Sequence, residues 1–217
     1  MATVPAPGFP LPLRNALAHL VLAALDDRDA DGSLAWLATS AEDAAPHDVR
    51  ERLHALHVVE ADGTLVDVHR PHVERVRLHA SRGRRAVEAF RARQPAADAG
   101  RVAAAVDRAI ALWNERLFFE VHEVLEAEWI RTTGDERQAL QGVIQIGVAL
   151  HHHAHGNARG ARTLMREGRE RLAATGHALP TLDVDALLAD TAPWEAALVA
   201  GTGALPPDPP VVRRRSR

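Results

Sequence analysis

The run from Trp113 to Trp129 constrains the fold more than any other part of the chain. Its large apolar residues recur every three or four positions, which is the period of an α-helix with one buried face. On a helical wheel Phe118, Val121, Leu125 and Trp129 share one arc, while acids and a histidine occupy most other positions. The sequence therefore predicts a helix that packs its apolar arc into a core and carries a polar edge.

The polar edge of this helix includes His122 and Glu126, which lie one turn apart, with Glu120 and Glu123 further round. The following helix has a polar stripe at spacings of three, four and seven, and small residues interrupt it. We expect the two stripes to meet, so that His122 and Glu126 face the second stripe. That stripe consists of Gln138, Gln141, Gln145 and His152.

A longer motif connects these two helices. It reads Asn114-x-x-x-Phe118-Phe119-Glu120-x-His122-Glu123-x-Leu125-Glu126-x-x-Trp129, then Gln141-Gly142-x-Ile144-Gln145, His152 and Gly156-Asn157-x-x-Gly160-Ala161. This pattern resembles the domain-of-unknown-function 309 family over roughly residues 100–190. The resemblance implies a small, irregular up-and-down helical bundle and brings no established activity. It marks as ligand-binding or polar-site residues Glu120, His122, Glu123, Glu126, Trp129, Gln141, Gln145, His152 and Asn157.

Three hypotheses fit this polar site. His122, Glu126 and His152 could bind a divalent metal that activates water for hydrolysis, since histidine and carboxylate one turn apart can share a metal. The same groups could line a pocket for a small polar ligand, with the amino-terminal domain relaying its occupancy to a protein partner or to nucleic acid. They could also form a hydrogen-bonded network that fixes helix register. We favour the binding and structural hypotheses, because the motifs of zinc hydrolases and di-iron bundles are missing.

The sequence pattern of residues 13–93 predicts a separate domain. Apolar residues at helical spacing from Leu13 to Leu25 indicate a first helix, and we expect Ser33 to cap a second. A third helix follows Pro46. The stretch from Val58 to Val68 has Asp-Gly between β-branched residues, which is typical of a β-hairpin. This order of helices and hairpin resembles the winged-helix fold.

A winged helix often binds DNA, and candidate contacts to nucleic acid follow from its basic residues. Acids at Asp48, Glu51 and Asp62 oppose that role, because much of the affinity for DNA comes from neutralising phosphates. We therefore favour a module for protein interaction, with the basic helix after it paired to acid-rich helices downstream. The candidate nucleic-acid contacts are Arg50, Arg52, His54, Arg82, Arg84 and Arg85.

The predicted organisation is mainly α-helical. We expect a flexible leader (1–12), a winged-helix-like domain with one β-hairpin and a basic helix (13–93), a linker (94–100), an irregular up-and-down helical bundle (101–200) and a disordered tail (201–217).

Composition limits the function classes further. The chain has 217 residues, a formal net charge of -3 and no cysteine, which excludes thiol nucleophiles and thiolate metal sites and fits a bacterial cytoplasm. No segment has the length and hydropathy of a membrane span. The glycines are spaced for helix contacts and caps, so phosphate loops, dinucleotide fingerprints and nucleophile elbows are absent.

Overall fold

The computed structural model of the chain describes residues 9–93, 100–201 and 206–215. These residues form two compact units, an amino-terminal unit of residues 9–93 and a carboxy-terminal unit that begins at Gly100. Within the described ranges the chain is mainly helical, as predicted, and forms no strand longer than an isolated bridge. No helix in those ranges is both long and apolar enough to cross a bilayer.

The amino-terminal unit contains α1 (Leu11–Ala24), α2 (Arg28–Ser40), α3 (His47–Ala55), a 3-10 helix (Asp67–His72) and α4 (Val73–Ala92). The carboxy-terminal unit contains α5 (Arg101–Asn114), α6 (Phe118–Trp129), α7 (Gly134–Ala154), α8 (Ala158–Thr175), a short 3-10 helix (Gly176–Ala178) and α9 (Val184–Ala200).

In the amino-terminal unit, α2 packs against α1, α3 and α4. The side chain of Asp27 caps α2 by accepting a hydrogen bond from the backbone N–H of Asp29 at 2.8 Å. Ser33, the predicted cap, is buried inside the helix and donates to the carbonyl of Asp29. The helix therefore starts more than a turn before the predicted position, because an aspartate further upstream supplies the capping oxygen.

The predicted hairpin is reduced to one antiparallel bridge between Val59 and Leu65. Its Asp-Gly turn forms, with Gly63 at a φ of +91°. Pairing cannot extend, because His57 before the bridge has a φ of +55° and a 3-10 helix begins at Asp67 after it. The strands of a winged-helix hairpin are thus not formed in the described residues.

In the carboxy-terminal unit, α7 packs on α6 and, more extensively, on α8. Gly142 of α7 and Gly168 of α8 bring the two backbones together: a Cβ built on Gly142 would lie 2.9 Å from the Gly168 carbonyl oxygen. Gly147 lies on another face of α7, where a Cβ would meet the ring of Trp113 at 3.3 Å. Small residues thus let α7 approach its neighbours on two sides.

The ends of the chain differ from the prediction where the structure describes them. Helix α1 begins inside the predicted leader, at Leu11, and residues 1–8 lie outside the described residues. Residues 206–215 pack on the bundle with Val212 only 3% exposed, so this part of the predicted disordered tail is ordered by burial of an apolar side chain. Most of the predicted linker (94–99) and residues 202–205 and 216–217 also lie outside the described residues.

We predict that Gly142→Ala lowers the free energy of unfolding by about 1–3 kcal/mol, because the added methyl group would press on the backbone of α8, which cannot move alone. Gly32→Ala in α2 is the matched control: its Cβ would meet nothing within 4 Å, and alanine there should stabilise the helix by roughly 0.5–1 kcal/mol. Urea denaturation of both variants checks the pair. Equal effects would contradict a close contact between α7 and α8.

Candidate functional site

The apolar arc of α6 anchors the site. Phe118, Val121 and Leu125 are buried as predicted, and Trp113 at the end of α5 meets Phe118 edge to face with ring centroids 5.5 Å apart. Helix α6 starts anew after Arg116, whose φ is +61°. This break makes α6 a separate helix that packs on α5, and the polar edge of α6 lies outside the core.

Trp129, predicted to belong to the same arc, is only half-buried. The Arg137 guanidinium lies over its indole ring, 3.7 Å from the centroid, and donates to the carbonyls of Trp129 and Thr132 at 3.0 and 3.2 Å. Trp129 therefore closes the turn between α6 and α7 through a cation–π contact.

His122, Glu123 and Glu126 form a group on the polar edge of α6, here called the α6 cluster. Nδ1 of His122 lies 3.1 Å from Oε1 of Glu123, and Nε2 lies 3.9 Å from Oε2 of Glu126. One ligand atom from each residue can be chosen so that all three lie within 4.8 Å of one another. The predicted pairing of His122 with Glu126 across one helical turn is therefore present.

The α6 cluster is open to solvent. The side chains of His122, Glu123 and Glu126 are 29%, 40% and 45% exposed. Ion pairs at this exposure contribute little to stability, because water screens them. The cluster is thus accessible to a ligand and is poorly explained as a buried network that holds helix register.

The donor set of the α6 cluster suits a divalent ion. Zinc binds imidazole nitrogen and carboxylate oxygen at about 2.0–2.2 Å, and a tetrahedral arrangement places two such ligands about 3.3 Å apart. The 3.9 Å between His122 and Glu126 needs a small adjustment of half-exposed side chains. With three protein ligands, at least one coordination position would remain for water or a small molecule.

Glu120 does not share this exposed position. It lies in the first turn of α6 and is 1% exposed. An acid in the first turn interacts favourably with the amino-terminal end of the helix dipole. We therefore separate Glu120 from the α6 cluster, although the motif places them side by side.

The glutamines of α7 face α8, and the prediction that Gln145 meets the edge of α6 is wrong. Gln145 accepts a hydrogen bond from Nε of Arg171 and donates one to Glu167, both at 3.2 Å. Gln138 also accepts from Arg171, and Gln141 is half-buried. The reason is geometric: Gly142 and Gly168 bring α8 to this side of α7.

His152 and Asn157 serve the junction between α7 and α8. The Asn157 side chain accepts from the backbone N–H of Gly160 at 2.9 Å and so caps α8, while its amide nitrogen lies 3.3 Å from Nδ1 of His152. Of the three residues predicted as metal ligands, the structure groups His122 and Glu126 together with Glu123. Within the described residues, the side chains close enough to share a metal ion do not include His152.

Two residues that were not among the predicted site residues lie beside the α6 cluster. The Phe119 ring stacks on the His122 ring with centroids 6.4 Å apart, and it is also 6.4 Å from the His151 ring. Gly147, one turn before His151, already faces α5 and α6. That spacing is the signal that would have selected His151 instead of His152 as the histidine nearest α6.

The arginines predicted to contact nucleic acid lie in the amino-terminal unit, and acids of α1 to α3 and their turns neutralise several basic residues there. Arg52 contacts Asp27 at 2.7 Å, and Arg84 lies 3.9 Å from Asp31. The expected pairing with acid-rich helices downstream is thus replaced by pairing upstream, as it is for Arg77 with Glu42 and Arg91 with Asp31. The other candidate contacts are the half-buried Arg50 and Arg82 and the exposed His54 and Arg85.

We predict that His153 reduces acid stability. Burial beside Trp194, with ring centroids 5.8 Å apart, lowers the pKa of His153 below its ordinary value of about 6.5. The unfolded chain therefore binds a proton more readily there, and stability is lost as pH falls through 6.5 towards the lowered pKa. Denaturation at pH 8 and pH 5.5 should show a smaller loss for His153→Gln than for the unchanged protein. An equal loss in both would contradict this assignment.

Comparison with known proteins finds one curated relative and one family model that match part of the chain. The curated protein "Uncharacterized protein YpuF" of Bacillus subtilis (strain 168) is 35% identical over 81 residues, which are 37% of this chain and 47% of YpuF. The chain thus spans about half the length of this relative. It matches no solved structure. Residues 106–164, which include α6 and α7, match the model of the family described as "Domain of unknown function (DUF309)".

Proposed function

We propose that the carboxy-terminal unit is a binding module whose ligand is a divalent metal ion held by the α6 cluster. The observation that supports this proposal is the placement of His122, Glu123 and Glu126 with ligand atoms within 4.8 Å on one accessible helix edge. Their nitrogen and oxygen donors match the preferences of zinc and related ions.

The surroundings of the α6 cluster fit a binding role. Glu123 lies 3.1 Å from Nδ1 of His122 and Glu126 lies 3.9 Å from Nε2, so each ring nitrogen has a carboxylate beside it. The Phe119 ring lies nearly parallel to the His122 ring, with centroids 6.4 Å apart. Positions left open on the metal would take water or a small polar ligand with carboxylate or phosphate oxygens, and this gives the module a means of sensing such a ligand.

Metal-dependent hydrolysis is the second candidate function, and the exposure of the same three side chains favours it. A metal with an open position lowers the pKa of bound water and so supplies a nucleophile. In that case His122 and one carboxylate would hold the ion, and the other carboxylate would be placed to accept a proton from the water.

For the amino-terminal unit we propose protein interaction instead of nucleic-acid binding. Arg52, Arg77 and Arg91 all pair with acids of the same unit at 2.9 Å or less. Phosphates would have to displace these acids before the arginines could contribute counterion release. The strands of a winged-helix hairpin are not formed in the described residues, so the proposal for this unit rests on its ion pairs and not on a fold resemblance.

Isothermal titration of the purified full chain with Zn²⁺ and Mn²⁺ tests the metal proposal. We expect His122→Ala to abolish the tightest binding event, and Glu126→Gln to weaken it at least tenfold by removing a ligand charge. His47→Ala is the matched control, because His47 and Glu51 form another exposed pair at 3.9 Å and one helical turn, but without a third ligand in the described residues. The His47→Ala variant should show the same tight metal binding as the unchanged protein.

Zinc can also bind the exposed imidazoles that end α7, so His155→Ala is titrated in parallel. If the tight event disappears with His155→Ala and persists in His122→Ala, the α6 cluster is not the site. Assays of the metal-loaded protein against phosphate and carboxylic esters then separate the two candidate functions. Hydrolysis that is lost in His122→Ala would favour the enzyme, and binding without turnover would favour the sensor.

A further inference from the structure

The segment of residues 206–215, here called the terminal segment, lies on the bundle, and its exposure alternates over residues 210–213. Pro210 and Val212 are buried, whereas Val211 between them is 45% exposed. This is the period of an extended chain with one face turned inward. The segment is contacted by α5, by the residues between α8 and α9, and by α9 itself, where Trp194 donates to the carbonyl of Asp208 at 3.3 Å.

Two side chains at the end of α5 hold the backbone of the terminal segment. The Asn114 amide donates to the carbonyl of Val212 and accepts from its N–H, both at 3.0 Å. The indole N–H of Trp113 donates to the carbonyl of Pro210 at 2.7 Å. Because these bonds go to the main chain, they recognise an extended peptide and not one particular side chain.

Two further contacts involve side chains of the terminal segment. Val212, 3% exposed, lines a small apolar cavity together with Val106, Ile110 and Leu182. Nε of Arg214 lies 3.0 Å from a carboxylate oxygen of Asp107, which is itself 3% exposed. The bundle thus offers an apolar cavity to an aliphatic residue and a carboxylate to an arginine two positions later.

The residues between α8 and α9 pair with the terminal segment as a neighbouring strand would. Leu182 and Arg214 form an antiparallel bridge. The N–H of Asp183 donates to the carbonyl of Arg213 at 2.9 Å, and the N–H of Arg215 donates to the carbonyl of Thr181 at 3.0 Å. Addition of an extended segment to an exposed edge is a recurrent form of peptide recognition.

We propose that Asp107, Trp113, Asn114 and the edge 181–183 form a groove that binds extended peptides with an aliphatic residue followed two positions later by arginine. The terminal segment is its ligand within the same chain. Asp107, Trp113 and Asn114 lie inside the family-matched residues 106–164, whereas the terminal segment lies outside them. The groove uses α5, so this site is distinct from the α6 cluster. A tethered ligand has a high effective concentration, which keeps the groove occupied in the intact chain.

The test cuts the connection between the terminal segment and the bundle, so that a free peptide can replace the segment. A protease recognition sequence is inserted between Gly201 and Pro206 of the full chain, which is folded and then cleaved. A labelled synthetic peptide with the sequence of residues 206–217 is titrated in, and fluorescence anisotropy is recorded. We expect saturable binding to the cleaved protein and at least tenfold weaker binding to the uncleaved protein, since the tether holds the competing segment in place.

Variants of the peptide test which of its side chains determine the affinity. Val212→Asp and Arg214→Ala should weaken binding roughly tenfold or more, while Val211→Asp, at the exposed neighbouring position, should stay within about twofold. In the protein, Asn114→Ala should weaken binding by a similar factor, because it removes two hydrogen bonds to the peptide backbone.

Two results would overturn the proposal. Loss of the helical circular-dichroism signal when the cleaved segment dissociates would show that the segment is part of the core and not a ligand. Equal affinities of the Val211→Asp and Val212→Asp peptides would show that the groove does not read the buried side chain.

Discussion

The carboxy-terminal unit depends on the close contact of α7 with α8 at Gly142 and Gly168. Each glycine would place a Cβ within 3 Å of the other helix's backbone, so no larger residue fits without moving a helix. This contact fixes the rotation of α7. The glutamine side of α7 is thereby turned to Arg171 and Glu167 of α8, and the side that carries Gly147 is turned to Trp113.

The break between α5 and α6 has a comparable effect at the other end of the motif. Because Arg116 adopts a positive φ, α5 ends at Asn114 and α6 begins as a separate helix at Phe118. Asn114 is thereby directed to the terminal segment, and the polar edge of α6 stays in solvent. A single break in the chain thus separates the proposed peptide groove on α5 from the proposed metal site on α6.

Local patterns predicted the helices and the pairing of His122 with Glu126, because helical periodicity depends only on neighbouring residues. Local patterns failed where packing against a distant helix or segment determines the position of a side chain. Gln145 of α7 was expected to face His122 and Glu126 of α6, since the sequence does not show which helix approaches the small residues beside it. The order of residues 206–215 was missed because proline and arginine dominate the composition there, whereas burial of Val212 in a distant groove decides the structure.

Anomalous X-ray diffraction from crystals of the zinc-loaded full chain tests the metal site most directly. A metal-binding α6 cluster predicts a zinc peak at about 2.0–2.2 Å from a ring nitrogen of His122 and from a carboxylate oxygen of Glu126 or Glu123. A single ordered zinc ion on the imidazoles of His151 and His155, with none at His122, would contradict it.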